Sequence, residues 1–566
     1  MEKTDRSAGI ENLTYEDLLD SEQRTILERI LGTQDNMLVT DKAGTGKSFL
    51  LHALLECSEG KTLPMAPTGV AALNINGVTI HSALGFHNLE GIDVDDISRS
   101  TLRLKKEKQS VLLAASRIVI DESSMIRSDT FEKMDRILQV ICKNGRPFGG
   151  KQIILFGDIF QLPPVVKGDE EFELIERFGG VHFFEAFSYK QGHFAFVELS
   201  TNHRQEDDRP FFEILNRVRS GQASESDIDA LNQRVIRGDE PAESGTVRLF
   251  PKKKDAESFN NLVLSKINSA EHKFMANVWS RNKQPVRSLE KRFPIAQCLR
   301  LKVGAQVMMI TNDPQKRWSN GTMGVVERIE RREPSESSSR QGPIEVTVRF
   351  GDKAYAIPKA TFTEEEAVER GGSIEYEPVV EVKQFPMVLA WALTIHKSQG
   401  LTYDRVTCGL NGCFSPGQAY VALSRCKSLN GLHLTGEVSQ ADLLVDQDVV
   451  DFYERQVSGS AETTGNNRRR KTATEVMIEK YLSLRATGEA EANAMLHRAL
   501  GREDVAEALC SVAASVMADD ELLANRLVCL SESISCLKTC NHINDIDKRL
   551  RGGGYPPKRI SKRRMK

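Results

Sequence analysis

The chain has 566 residues, enough for roughly three to five domains and too many for a single small binding module. Hydrophobic residues make up 40% and charged residues 27%, the balance of a chain that packs large cores and not of a disordered one. The net charge of −3 excludes a polycation that coats nucleic acid along its whole length by counterion release.

Charge is unevenly placed. Residues 461–566 hold 19 Lys and Arg against 14 Asp and Glu, which gives +5 and leaves −8 on the first 460. The longest apolar run, Phe385 to Ile395, falls short of the roughly eighteen residues a membrane-spanning helix needs, so no membrane partner is expected. The first thirty residues carry eight acidic and four basic side chains, unlike a secretory or organelle leader. Ten cysteines with no C-x-x-C read as reduced thiols. The nearest metal-like cluster, Cys536, Cys540 and His542, lacks the second half of a zinc ligand set.

From Gln34 onward short apolar runs alternate with helical patterns: Met37–Thr40, Lys47–Glu56, Arg117–Ile120, Phe131–Cys142 and Gln152–Phe156. That rhythm predicts parallel strands joined by crossover helices. It returns after Arg204, with strands expected at Val247–Phe250 and Arg405–Leu410 and helices at Phe211–Arg219 and Gly417–Arg425. Two α/β domains follow. Between them, from about Leu301 to Lys383, Val, Thr and Ile predominate and turns such as Asn320-Gly321 and Arg370-Gly371-Gly372 recur. This stretch reads as a small inserted β domain, with the polar Glu333–Gly342 as a hairpin tip. A second polar insert spans His87 to Gln109. Past a linker from Ser458 to Asn467, Thr472 and Glu475 have capping-box spacing, and Val505, Leu509, Val512 and Val516 repeat with helical period, so a small helical bundle is expected.

Three places carry chemistry. The strand before Asp41, the turn Ala43-Gly44-Thr45-Gly46-Lys47-Ser48 and the helix after it form the order of a phosphate-binding loop. Glycines turn backbone N–H groups toward phosphate at a helix N-terminus, Lys47 adds a point charge, and the Ser48 hydroxyl can hold Mg²⁺. The pattern G-x-x-x-x-G-K-(S/T) asks for glycine at position 41, where this chain has Asp41. A carboxylate ~6 Å from a phosphate charge would cost about 3 kcal/mol at an effective dielectric of ~20, unless it points away or pairs with Lys42. Asp41→Gly is therefore expected to tighten ATP binding or leave it unchanged. Next, Ile118-Val119-Ile120-Asp121-Glu122 ends a buried strand in two carboxylates, with Asp121 suited to Mg²⁺ and Glu122 to activating water. Third, Gly157-Asp158-Ile159-Phe160-Gln161-Leu162-Pro163-Pro164 ends another strand, with Gln161 placed to sense a γ-phosphate and Pro-Pro forbidding helix or ladder.

With these motifs, and with APTGVAALNINGVTIHS (Ala66–Ser82), LSTNHRQ (Leu199–Gln205), LAWALTIHKSQGLTYDRV (Leu389–Val406) and AYVALSRCKSLNGL (Ala419–Leu432), the chain resembles the petite-integration-frequency (PIF) family, RecD-like DNA helicases of superfamily 1. The resemblance covers about Leu19 to Val445. It implies an α/β fold: two RecA-like parallel-sheet P-loop domains with a small inserted β barrel, beside the α-helical C-terminal extension. Residues 1–195 would form the first motor with a wedge near 87–109, 196–300 plus 384–457 the second, and 301–383 a Src-homology-three-like insert. A linker (458–471), a helical extension (472–547) and a disordered basic tail (548–566) would follow.

The implied activity is ATP-dependent, 5′-to-3′ unwinding of DNA, with roles in repair, recombination or telomere maintenance, and with ATP and Mg²⁺ as cofactors. The resemblance makes Gln23 an adenine contact beside the loop residues Ala43, Gly44, Thr45, Gly46, Lys47 and Ser48. It makes Arg204 and Arg425 arginine fingers and adds Gly400 to the catalytic set of Lys47, Asp121, Glu122 and Gln161, with Ser48 and Asp121 on the metal. A planar guanidinium that arrives as a cleft closes can stabilise charge on the transferring phosphoryl group. DNA contacts would fall on Pro67, Thr68, Gly69, His81 and Ser82, and on Thr394, His396, Lys397 and Ser398, although His81 and His396 read alone as hydrogen-bonded interior histidines.

Single-stranded and forked DNA are the implied partners, bound by a monomer, and the helical extension is a candidate dock for a protein. The final nineteen residues hold nine cations and no acid, which fits a nuclear import signal, a nucleic-acid tether or a solubilising end. Nuclear localisation is the expectation, or cytoplasmic in a prokaryotic or viral setting. A competing class is a nucleotide-switched clamp in which Asp41 blunts turnover.

Overall fold

The computed structural model describes Tyr15 and residues 18–458, apart from 43, 59–60, 87–92, 103, 167, 202–207, 237–245, 282–288 and 332–343. The expected linker, helical extension, basic tail and Cys536–Cys540–His542 cluster lie outside the described residues. The chain divides into two compact units, Met1–Pro164 with His182–Ala461, and Val165–Val181 with Glu462–Lys566. Of the second unit, the described part includes the helix Gly168–Phe178. All that follows concerns the first.

Six parallel strands form its first sheet: β1 (Met37–Asp41), β2 (Thr62–Ala66), β3 (Val78–Thr79), β4 (Arg117–Ile120), β5 (Gln152–Phe156) and β6 (Ala195–Leu199), in the order β3-β2-β4-β5-β1-β6. Every residue of β1, β2, β4 and β5 is buried, as expected of parallel strands covered by helices on both faces. Leu38, Leu63, Ile118, Ile153 and Leu155 serve one core, and Met37, Val39, Val119, Ile154 and Phe156 the other. The helix Ser128–Cys142 covers one face because Phe131, Met134, Ile137, Leu138 and Ile141 recur at 3.6-residue spacing and are all buried. Each such side chain contributes about 1.5–3 kcal/mol by leaving water.

The chain then opens a second sheet with β7 (Val247–Phe250) and leaves it at once. Ten strands intervene: β8 (His272–Met275), β9 (Asn277–Ser280), β10 (Cys298–Leu301), β11 (Gln306–Met309), β12 (Met323–Arg331), β13 (Ile344–Phe350), β14 (Lys353–Ile357), β15 (Ala360–Arg370), β16 (Ser373–Gln384) and β17 (Met387–Leu389). They pair antiparallel as β14-β13-β12-β11-β17, β15-β16-β9 and β10-β8. The second sheet resumes with β18 (Ala392–Thr394), β19 (Val406–Cys408) and β20 (Leu432–Leu434), all parallel, in the order β18-β7-β19-β20.

Three boundaries differ from the sequence reading. The cut expected at 195/196 falls inside β6, which pairs with β1 from Ala195 to Leu199, so the first sheet runs on to Leu199. The intervening β region starts at His272 and ends at Leu389, wider than 301–383, because β8–β10 are short runs whose alternation is too brief to read. The helix Gln447–Ser458 follows the second sheet in sequence but packs Val449 and Phe452 into the first core, where Phe452 stacks on Phe184 at 4.2 Å.

The hairpin β15–β16 also reaches the first core through Ala367 and Ile374. Its tip turns at Gly371 (φ 59°) and Gly372 (φ 87°), the two positive-φ positions a tight hairpin requires. Among the described residues no helix is long and apolar enough to cross a membrane, and no cluster of three or more His, Cys, Asp or Glu side chains could hold a metal.

Candidate nucleotide site and interdomain cleft

The phosphate loop follows β1. Gly44 (φ 90°) and Gly46 (φ 79°) take left-handed backbone that a side chain would resist, and Gly46 caps the helix Lys47–Glu56 with no side-chain hydrogen bond. The first amides of that helix therefore stay available to an anion at the positive end of its dipole. Thr45 Oγ1 donates to the Lys42 carbonyl at 3.1 Å and braces the turn. Ser48 is exposed at the helix start, and Ala43 is outside the described residues. Gln23 is buried in the capping box of the helix Ser21–Gly32. Its Oε1 accepts from the Asp20 amide at 3.1 Å and its Nε2 donates to the Thr45 carbonyl at 3.2 Å. That amide is spent largely on bracing the loop from beneath.

Lys47 Nζ lies 3.5 Å from Asp41 Oδ1 and 3.9 Å from Asp121 Oδ1. Of the two ways for Asp41 to escape repulsion, pointing away or pairing with Lys42, the second is not taken, since Lys42 pairs with Glu198 at 3.9 Å. Lys47 is buried, which disfavours its charge, but Asp41, Glu122 and Asp121 outweigh that and hold the ammonium firmly protonated. Burial pushes the Asp41 carboxyl up to about 6 against the pull of Lys47. Glu122 occupies left-handed backbone (φ 52°, ψ 45°), a strained setting for a non-glycine residue and a feature that gathers at functional sites. Burial, opposed by Lys47, raises its carboxyl to about 7, where a general base works best. The donor set fits Mg·ATP. Asp121 Oδ1 is buried without a hydrogen-bond partner, 3.9 Å from the Lys47 ammonium, and such a carboxylate oxygen suits a hard cation and its phosphates.

Second-sheet residues close the cleft. Gln399 Nε2 donates to Glu122 Oε2 and to Gln161 Oε1, both at 2.9 Å. Gly417 (φ 72°) is pressed so close to the loop after β5 that an added Cβ would sit 2.5 Å from the carbonyl oxygens of Phe160 and Gln161. Leu162, on that same loop, packs into the second core. Arg425 is buried and donates to the Val421 and Leu401 carbonyls and to Ser424 Oγ. Gly400 (φ 77°) supplies the turn after Gln399, and Arg204 lies outside the described residues.

A second bridge runs through Arg219, on the helix Arg209–Arg219 of the second core. Its guanidinium donates to Asp158 Oδ1 at 3.1 Å and the Asp41 carbonyl at 3.2 Å, and lies 3.3 Å from Glu198 Oε1. It also sits over the Phe160 ring at 4.3 Å. Tyr420 Oη donates to Asp158 Oδ2 at 2.9 Å. Sequence reasoning missed Gln399, Arg219, Asp158 and Tyr420 as site residues. Gln399 and Tyr420 stand inside stretches already marked by motif, whereas Arg219 looks locally like any helix-terminal cation.

The remaining candidates lie after strand ends on the sheet edge where α/β folds bind ligands. Pro67, Thr68 and Gly69 follow β2, His81 and Ser82 follow β3, and Thr394 ends β18 just before His396, Lys397 and Ser398. Thr68 Oγ1 accepts from the Ala71 amide, and a Cβ on Gly69 would meet the Arg292 carbonyl at 2.8 Å. His81 and His396 are both exposed, which corrects the interior-histidine alternative. Ser82 lends its carbonyl to Lys108 Nζ at 2.6 Å, and Lys108 pairs with Glu366 of β15 at 3.2 Å. Thr394 Oγ1 and Ser398 Oγ are occupied locally, by the Lys397 amide and the Ile395 carbonyl.

Two parallel-sheet cores, a phosphate loop on one and polar groups of the other pressed onto its carboxylates define a P-loop motor of the helicase type. A family model described as PIF1-like helicase matches residues 18–229, and one for the DNA helicase Pif1 2B domain matches 286–329. The chain is 35% identical over 440 residues to the ATP-dependent DNA helicase Pif1 of Bdellovibrio bacteriovorus, covering 77% of this chain and 92% of that one. It is 33% identical to human ATP-dependent DNA helicase PIF1, with 77% of this chain matched to 63% of the human length. The crystal structure of Bacteroides sp. Pif1 in complex with ADP-AlF4 superposes with a TM-score of 0.69 at 32% identity, over 78% of this chain and 98% of that one. The chain belongs to the PIF1-like helicase family and is an ATP-dependent DNA helicase.

Proposed function

We propose that ATP binds between the two parallel-sheet cores and that its hydrolysis drives stepping along single-stranded DNA in the 5′-to-3′ direction, splitting a fork ahead. The observation that carries this reading is the junction of Gln399 with Glu122 and Gln161, because it makes the base's position depend on where the second core sits. In this reading Gly44, Thr45, Gly46 and Lys47 take the phosphates. Ser48 and Asp121 hold Mg²⁺, which neutralises charge on the phosphate oxygens when bound. Glu122 accepts the proton of the attacking water, Gln161 reports the γ-phosphate, and Arg425, with Arg204, stabilises the charge that develops. Pro67, Thr68, Gly69, His81, Ser82, Thr394, His396, Lys397 and Ser398 form the DNA track. Their small polar groups suit phosphate and sugar contacts that form and break at each step. The insert at 87–109 serves as the wedge that splits the duplex, and the β8–β17 region guides it.

The chain acts as a monomer in this reading, with the helical extension as a dock for a protein partner. Residues 558–566 direct it to the nucleus, and repair, recombination or telomere maintenance is its setting. Removing 558–566 from a fluorescent fusion tests the address, since unchanged nuclear retention would refute it.

Steady-state ATP hydrolysis with and without single-stranded DNA, beside Lys47→Ala and Glu122→Gln, tests the motor. DNA stimulation that both substitutions abolish is expected, together with unwinding of 5′-tailed but not 3′-tailed duplexes. Undetectable turnover with intact binding of ATP and DNA would replace the motor with a nucleotide-switched clamp.

A further inference from the structure

Position 41 is where the phosphate-loop pattern has glycine, and in this chain it carries a buried carboxylate. Asp41 ends β1, fixed there by its pairing with Leu199, and its carbonyl accepts from Arg219. Its Oδ1 has no hydrogen-bond partner, so the nearest counter-charge is the Lys47 ammonium, 3.5 Å away. Lys47 is itself buried, and its other carboxylate neighbour at ion-pair range is Asp121, at 3.9 Å. A buried carboxylate without a cation is strongly unfavourable. A lysine that must reach nucleotide phosphates is thus already engaged by an anion within its own loop.

We propose that Asp41 is a resident counter-ion for Lys47, holding its ammonium when the site is empty, releasing it to the phosphates of an arriving nucleotide and reclaiming it as product departs. Arg219, whose guanidinium bonds the Asp41 carbonyl, is the cation that steadies Asp41 while Lys47 is away. The consequence is a helicase that binds nucleotide more weakly and releases ADP faster than the same loop with glycine would. Two anions then exchange one cation, and no bond is made or broken. The inference rests on Lys47 being the phosphate-binding cation, as assigned above.

The test uses the full chain at pH 8 and a fluorescent ADP analogue, with affinity from titration and release followed by stopped flow. Asp41→Asn keeps the shape and removes the charge, and Asp41→Gly restores the loop pattern. Each is expected to slow release and tighten binding about tenfold, which corresponds to about 1.4 kcal/mol. In a Lys47→Ala background Asp41→Asn should change release by less than about twofold, because the exchange has lost its cation. Unchanged or weaker binding in both single variants, with wild-type binding that depends on Lys47, would overturn the exchange. An equal gain in the Lys47→Ala background would also overturn it, since Asp41 would then merely repel phosphate. Wild-type affinity in Lys47→Ala alone would remove the assignment of Lys47, and the exchange with it.

Discussion

Arg219→Met removes one guanidinium and leaves a chain of similar length, and the structure says what is stranded. Asp158 has a fully buried side chain that keeps only its Tyr420 hydrogen bond and local backbone contact. Glu198 keeps Tyr453 Oη, which donates to it at 2.8 Å, and the longer approach of Lys42. Breaking a buried ion pair from one side costs about 3–5 kcal/mol, and the cation lost from above Phe160 adds roughly 1 more. Part of that returns when the stranded charge is removed too. The double variant Arg219→Met, Asp158→Asn is therefore expected to recover about 2 kcal/mol relative to the sum of the two single changes. Urea denaturation of the four proteins, followed by tryptophan fluorescence and circular dichroism, measures the cycle. Arg219 joins the second core to the loop root at Asp41, so DNA-stimulated ATP turnover should fall further than stability alone explains. A loss below about 1 kcal/mol for Arg219→Met, or additivity of the two changes, would refute the view that a buried charge network ties the cores together.

Three further outcomes follow from the cleft. Glu122, raised to about 7 by burial, must be ionised to accept a proton, so kcat/KM for ATP should climb with unit slope as pH rises through about 7 and level off above it. The sign for stability is opposite. The fold favours the neutral carboxyl, so this group's contribution is complete below its ordinary 4.5 and is lost as pH rises to about 7. A kcat/KM flat from pH 5.5 to 8 would exclude Glu122 as the base. Gln399→Ala removes both hydrogen bonds that cross to Glu122 and Gln161. It should lower kcat about 10–100-fold with ATP affinity little changed, an effect of misplacement that steady-state kinetics and nucleotide titration separate. Gly417→Ala sets a Cβ 2.5 Å from two carbonyl oxygens and forces left-handed backbone on alanine. It should cost at least about 2 kcal/mol by urea denaturation and weaken DNA stimulation of ATP hydrolysis.

Five of the ten strands in the motor's two sheets, β1, β4, β5, β7 and β19, were legible as apolar runs, three of them with a chemical mark at the end, whereas β2, β3, β6, β18 and β20 were not. Met37–Asp41 runs into the glycine turn, Arg117–Ile120 into Asp121 and Glu122, and Gln152–Phe156 into Gly157 and Asp158. Parallel strands buried on both faces are written as unbroken apolar runs, and those are hard to misread. The β8–β17 region was legible only as a change of composition. His272–Met275 and Asn277–Ser280 are half exposed four-residue strands whose pairing is set by distant partners, β10 and β16, so no local period announces them. The helix Gln447–Ser458 shows the same limit, since its amphipathic stripe gives its existence but not which core its Phe452 enters.

The cross-cleft residues were hidden for a sharper reason. Gln399, Arg219 and Tyr420 matter through atoms that lie 61 to 277 residues away in sequence, and an uncharged amide, a helix-end arginine and a tyrosine carry no spacing rule of their own. Asp41 lies between these cases. Its departure from the glycine pattern was visible as a cost, and a carboxylate near phosphate would indeed be one if it stood alone. The structure gives that carboxylate Lys47 on its side-chain face and Arg219 at its carbonyl, so the charge is paired while the site is empty and loses that partner only when Lys47 turns to the phosphates. Its effect should then appear as competition for one ammonium and less as a field opposing ATP, which is why the charge-removing Asp41→Asn, tested with and without Lys47, separates the two.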